Sequence, residues 1–165
     1  MEAALRASWL TRPQPKPKPL AALFAGLGGG GAIAVLSLIT HQADLLMIMA
    51  PFGATCVLLF ALPQSPLSQP ANVIGGHLLS TAVGLTVRLA FPDDWWAVGL
   101  AVGIAIALMS LLRVTHPPAG PDPIVVFVAD PGFEFLLTPV LAGSVALVTM
   151  ATLFHRGQGT SYPNI

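Results

Sequence analysis

"RVTHPPAGPDPIVVFVAD", residues 113–130, sets four prolines, a histidine and an aspartate directly ahead of an apolar run. Pro117, Pro118, Pro121 and Pro123 forbid a continuous helix through 116–122, because proline lacks an N–H and disfavours helical geometry in the residue before it. Asp122-Pro123 then reads as a helix start, with Asp as N-cap and Pro at the first helical position. The surroundings make such a break expensive. Seven basic and seven acidic side chains serve 165 residues, of which 55% are hydrophobic, and the mean hydropathy is +0.79. A soluble domain carries about 25% charged residues; this chain has 8%. Lys, Arg, Asp and Glu are missing from 20–43, 45–87, 95–112 and 135–155. A spanning helix needs roughly 20 mostly apolar residues, so these are membrane segments.

Several function classes drop out. The formal net charge is zero, which gives no bulk attraction for nucleic acid. Cys56 is the single cysteine, excluding an intramolecular disulfide and any multi-cysteine metal site. His41, His77, His116 and His155 lack H-x-x-x-H spacing, so neither a metal nor a cofactor is expected. The glycine run at 26–31 is not followed by Lys-Ser/Thr and is no phosphate loop. It permits close helix contact and favours self-association as a dimer or trimer.

Six apolar pieces follow a basic tail, 1–19, whose "PQPKPKP" (13–19) reads as an extended spacer. Residues 1–10 read either as interfacial turns anchored by Trp9 or as an unordered lead. The pieces are about 20–40, 45–62, 71–91, 95–112, 123–129 and 133–155, with the second interrupted at "PFG" (51–53). The membrane domain is thus 20–155, and 156–165 is a second tail. With six crossings and the N-terminus in the cytoplasm, Arg113 and Arg156 join the basic tail inside, Asp44, Asp93, Asp94, Asp130 and Glu134 fall outside, and Arg88 is the one basic residue on the outer side. That obeys the positive-inside rule and suits a bacterial inner membrane, N-in and C-in.

A shift of 67 residues overlays "PFGATCVLLFA" (51–61) on "PAGPDPIVVFV" (118–128). Pro51 falls on Pro118, Gly53 on Gly120 and Phe60 on Phe127, and the same offset puts Gly76 on Gly143. The expected fold is all-α: two inverted repeats of three segments, about 20–91 and 92–155, with the second and fifth segments broken half-helices. Such repeats point to a transporter site near mid-membrane, since broken backbone is tolerated only beside protein or a water-filled cavity. The two half-helix N-termini, with Thr55 and Asp122 as their cap residues, would face each other and offer amides to an anion.

The candidate binding set is Pro51, Phe52, Gly53, Ala54 and Thr55 on one side, and His116, Pro117, Pro118, Ala119, Gly120 and Asp122 on the other. Asn72 and His77 join from the third segment. Asp122 reads as a cap, as a proton carrier for symport, or as part of a cation site. His116 either carries the proton or donates to a carbonyl freed by the prolines. His77 reads first as a cross-helix hydrogen-bonding group, Asn72 as a cap, Gln69 as a partner for the proline-rich connector, and His41 and His155 as interfacial. No nucleophile motif is present, so an enzyme is not expected.

"PFGATCVLLFALPQSPLSQPANVIGGH" (51–77) and "HPPAG" (116–120) resemble the HPP family of integral membrane proteins, over about 20–155. The resemblance implies a multi-pass protein, commonly described with four spanning helices, and transport of a small inorganic anion. Nitrite leads, because plastid and cyanobacterial relatives are associated with its transport. Two positions depart from the family pattern: Asp122 follows "HPPAG" where small uncharged residues are usual, and Ala71 precedes Asn72 where a basic residue is usual. The other readings are a cation or proton pathway, a small membrane-embedded enzyme and an accessory subunit.

Overall fold

The computed structural model describes residues 12–164; the reading of residues 1–10 lies outside them. Six α-helices carry the fold: α1 Pro19–Ala43, α2 Pro51–Ala61, α3 Pro70–Ala90, α4 Trp95–Leu111, α5 Asp122–Ala129 and α6 Ala142–Gly157. No strand occurs among the described residues. Proline opens α1, α2 and α3, where its missing N–H would have had no helical partner. Asp94 opens α4 by accepting from the Trp95 amide at 2.7 Å. A 3-10 turn, Phe133–Leu136, and a π turn, Leu137–Leu141, lead into α6.

Lengths separate the helices into two kinds. α1, α3 and the stretch Phe133–Gly157 are long and apolar enough to cross a membrane, and α4 is an apolar helix of 17 residues. α2 has 11 residues and α5 has 8. At 1.5 Å per residue these two span about 16 and about 12 Å of a hydrocarbon layer roughly 30 Å thick. Four long helices and two short ones account for both a description by four spans and a count of six segments.

Each third helix leaves its own half. α1 packs on α2 and α4 on α5, whereas α3 packs on α4 and α5, and α6 packs on α1 and α2. The offset of 67 carries α3 onto 137–157, the last helical stretch. Close contacts obey the same offset. A Cβ on Gly76 would lie 3.1 Å from the carbonyl oxygen of Val114, and one on Gly143 would lie 2.8 Å from that of Met47. Residue 47 maps to 114 and 76 to 143, so one contact is made twice with the halves exchanging roles.

Lipid is no less apolar than leucine, so close packing and hydrogen bonds must join the helices. α4 offers Ala97, Ala101, Ala105 and Met109, one every turn or so, to Val83, Val87 and Phe127. α1 buries only Ala32 and Leu36 and leaves Leu20, Leu23, Leu27 and Leu38 about half exposed or more. Outward-facing apolar rows of this kind identify an integral membrane protein. A second core gathers Phe52, Leu59, Val73, Val140 and Leu147 where α2, α3 and α6 meet.

Candidate functional site

The break at 112–121 docks on one face of α3. Asn72, Gly76, Ser80 and Gly84 recur every fourth residue and therefore line one stripe of the helix. Asn72 Nδ2 donates to the Thr115 carbonyl at 2.9 Å, and Ser80 Oγ donates to the Ala119 carbonyl at 2.6 Å. Gly76 and Gly84 admit the chain itself, since a Cβ would meet His116 Cβ at 2.7 Å and Pro123 Cα at 2.9 Å respectively. Carbonyls stranded by the prolines thus find donors on a neighbouring helix, as buried backbone must. Pro117–Ala119 forms a 3-10 turn and α5 starts at Asp122.

One residue around from this stripe, His77 and Thr81 reach the aspartate. His77 Nδ1 lies 2.8 Å from Asp122 Oδ2, and Thr81 Oγ1 donates to the same oxygen at 3.3 Å. The other ring nitrogen, His77 Nε2, is 2.8 Å from Thr55 Oγ1 of α2, which is 3.0 Å from His116 Nε2. His116 Nδ1 lies 2.8 Å from the Leu67 carbonyl in the 63–69 connector. A single hydrogen-bonded chain therefore runs Asp122–His77–Thr55–His116–Leu67, across α5, α3, α2 and the break. Thr55, His77 and His116 are 0% exposed and Asp122 is 1% exposed, so the chain is sealed. Phe52 closes one side of it, edge-on to His77 with centroids 5.2 Å apart.

Counting hydrogens fixes what this chain can hold. The Leu67 carbonyl only accepts, so His116 Nδ1 carries a hydrogen. Thr55 has one hydrogen for two ring nitrogens, so one ring must donate to it. Three arrangements keep every link. In one, protonated Asp122 donates to His77, which donates to Thr55, which donates to His116. In the second, His77 is an imidazolium between Thr55 and the Asp122 carboxylate. In the third, His116 is the imidazolium, Thr55 donates to His77, and His77 donates to the carboxylate. All three have zero net charge, with one proton more than two neutral rings and a carboxylate hold. Without that proton, two lone pairs face each other somewhere along the line. The longer contact from Thr55 Oγ1 to the Pro51 carbonyl, 3.3 Å, cannot repair this. The chemistry available is storage of one mobile proton and its passage between Asp122 and His116.

Among the described residues, Asp122 Oδ1 is buried and has no hydrogen-bond partner. The buried acid thus keeps one oxygen free.

Several expected roles change. Asp122 does not cap α5: it is the first helical residue, makes no cap hydrogen bond, and Pro123 stands second. His77 and Thr81 draw its carboxyl sideways instead. Thr55 lies one turn inside α2, because the helix already begins at Pro51. The first amides of α2 are used locally, Phe52 N to the Met49 carbonyl and Gly53 N to the Ala50 carbonyl. The two short helices communicate through side chains, with His77 between them. Asn72 binds the break rather than capping α3. His155 is buried, not interfacial, with Nε2 2.8 Å from the Leu59 carbonyl, whereas His41 is exposed.

Of the remaining candidates, Pro51, Pro118 and Ala119 are buried beside the chain, while Gly53, Ala54 and Pro117 are exposed and Gly120 is half-buried. Gly53 instead lines an apolar groove of about 990 Å³ between α1 and α2. Gln69 serves the connector as expected, donating to the Pro63 and Ser65 carbonyls at 3.0 Å. Ser80, Thr81 and the Leu67 carbonyl were not foreseen. The four-residue spacing along α3 carried a signal for the first two; a backbone acceptor 49 residues from its donor carried none.

The tail beyond α6 braces the connector that ends the chain. Tyr162 Oη donates to the Ser68 carbonyl at 2.9 Å, and Gln64 Nε2 donates to the Ser161 carbonyl at 2.8 Å.

Comparison with known proteins agrees that the chain is a transmembrane protein. Two transmembrane proteins of Dictyostelium discoideum are similar to the chain. One is 31% identical over 172 residues, covering 94% of this chain and 60% of the relative; the other is 32% identical over 126 residues, covering 72% and 40%. The chain therefore spans less than two thirds of the length of either. No solved structure matches it. The family described as "HPP, transmembrane region" matches residues 14–163, a stretch that holds all six helices and the whole buried polar chain, and the protein belongs to that HPP transmembrane family.

Proposed function

We propose that this protein transports a small inorganic anion across the membrane together with a proton, nitrite being the first candidate. The observation that carries this is the sealed chain Asp122–His77–Thr55–His116, completed by one mobile proton and built from groups on both repeats. An ionisable group inside a membrane is expensive to keep and marks an ion pathway by default. Three such groups, Asp122, His77 and His116, joined through Thr55 beside a backbone break, match the site plan of repeat-built transporters. Nitrite enters through the resemblance of "HPPAG" and the 51–77 stretch to relatives associated with it. In this reading six crossings put both tails inside, and the halves rock about His77 so that the chain meets one side at a time.

A pathway for protons alone is the second reading, favoured by the same chain.

The test is uptake into proteoliposomes of purified protein, with and without an inward pH gradient. The expected result is gradient-driven nitrite uptake by the wild type. Asp122→Asn should keep some uptake and lose its dependence on the gradient. Wild-type vesicles that dissipate the pH gradient without any anion would favour the second reading, and vesicles that move neither would end both.

A further inference from the structure

The orphaned oxygen of Asp122 specifies the form in which an anion can enter. Asp122 Oδ1 is a buried acceptor without a donor, while Oδ2 is already engaged by His77 and Thr81. A bare anion brings only further acceptors. No fixed cation compensates for it among the described residues. Arg88 lies 3.2 Å from Asp130 near the far ends of α3 and α5, and Arg12, Lys16, Lys18, Arg113 and Arg156 are exposed. The groups facing Asp122 are few. α3 contributes His77, the break contributes His116 by way of Thr55, and α4 has no titratable side chain. α2 has only Cys56, which packs toward Gly29 of α1.

A charge desolvated without a partner neutralises itself by exchanging a proton. We propose that the anion is bound and crosses as its conjugate acid, whose O–H donates to Asp122 Oδ1. Only O–H bonds are made and broken. The proton that enters with the anion sits between the acid oxygen and Oδ1, and leaves with the anion on the other side. The Asp122–His77–Thr55–His116 chain ends each cycle with the proton it began with. One anion and one proton move per cycle, with no net charge. The substrate class is the monobasic weak oxyacid, such as nitrous or formic acid. Anions of strong acids, such as nitrate and chloride, are rejected for want of a proton at ordinary pH, whatever their size. This inference rests on the anion-transport reading above and changes its proton route, from the side-chain relay to the anion itself.

The test compares nitrite and formate with nitrate and chloride in proteoliposomes of the wild-type chain. Protein-free vesicles are subtracted because the free acids leak through lipid, and the membrane potential is set by a potassium gradient with valinomycin. Below saturation, the expected nitrite rate rises about tenfold for each pH unit lowered, following the acid's concentration. It should not respond to the potential, and nitrate and chloride should stay at the protein-free level. Nitrate moving as fast as nitrite, or nitrite uptake slowed by an inside-negative potential, would overturn this inference and leave anion transport standing. If none of the four ions moves at any pH, the inference and the transport reading fall together.

Discussion

Thr55→Val is the sharpest perturbation of the buried chain. Valine keeps the β-branched shape inside α2 and deletes only the hydroxyl that joins His77 Nε2 at 2.8 Å to His116 Nε2 at 3.0 Å. Two buried ring nitrogens lose their partner at once. In a soluble core each would cost about 1–3 kcal/mol. Between membrane helices hydrogen bonds average about 0.6 kcal/mol and reach about 1.7, because the separated helices find other partners. The expected loss is therefore about 1–2 kcal/mol, read as a lower midpoint of thermal unfolding in detergent. The functional effect depends on the proton's route. With the hydroxyl gone, the two rings still meet edge to face with centroids 5.0 Å apart, but the group that relays the proton between their Nε2 atoms is lost. A positioned proton-transfer group is worth about 10²–10⁴-fold in rate, so a transported proton that runs through the chain predicts at least about a hundredfold drop in gradient-driven uptake, whereas a proton that crosses on the anion predicts uptake near the wild type. Thr55→Ser should restore both properties. If Thr55→Val keeps uptake within about twofold of the wild type, the proton does not travel through this chain.

Two further outcomes concern packing and the tail. Gly76→Ala and Gly143→Ala should each destabilise by about 1–3 kcal/mol through overpacking, the first against His116 and the Val114 carbonyl, the second against Phe52 and the Met47 carbonyl. Gly99→Ala and Gly103→Ala, with open space around the added methyl, should leave the unfolding midpoint unchanged or raise it. Burial pushes the Tyr162 phenol up to about 12, so the folded protein keeps a proton that the unfolded chain releases from about pH 10. Its contribution to stability is complete below that pH and declines as pH rises toward 12. Thermal unfolding at about pH 9 and about pH 11 should show an alkaline loss that Tyr162→Phe reduces, and the contrast is clean because this is the only tyrosine.

Helix positions were legible because proline punctuates the chain and charge is kept to its loops and helix ends. The break at 116–122 could be read from Pro117, Pro118, Pro121 and Pro123 alone, since proline acts on its own backbone. The 67-residue offset was visible in Gly76 and Gly143 because each sits where the other half's chain comes within van der Waals reach. Side-chain partners were less legible. Asp-Pro at a helix start is a sound local rule for a cap, yet His77, 45 residues away, offered the carboxyl a stronger partner. His155 sits at the end of an apolar segment and so read as interfacial; only the folded chain brings the Leu59 carbonyl to it. Local rules describe what a residue can do with its neighbours in sequence, and a buried polar residue in a membrane takes the best donor or acceptor that packing delivers.

The departure of each third helix from its own half has a consequence for biosynthesis. While the ribosome is still making α4, α3 lacks most of the surface it will rest on, and α6, which finishes the opposite half, does not yet exist. Apart from the α1–α2 pair, the early segments wait in the bilayer without their final neighbours until nearly all six helices have emerged. Two separately expressed fragments, cut in the 91–94 turn, would each be unfinished alone and should recover a working protein only when made in the same cell.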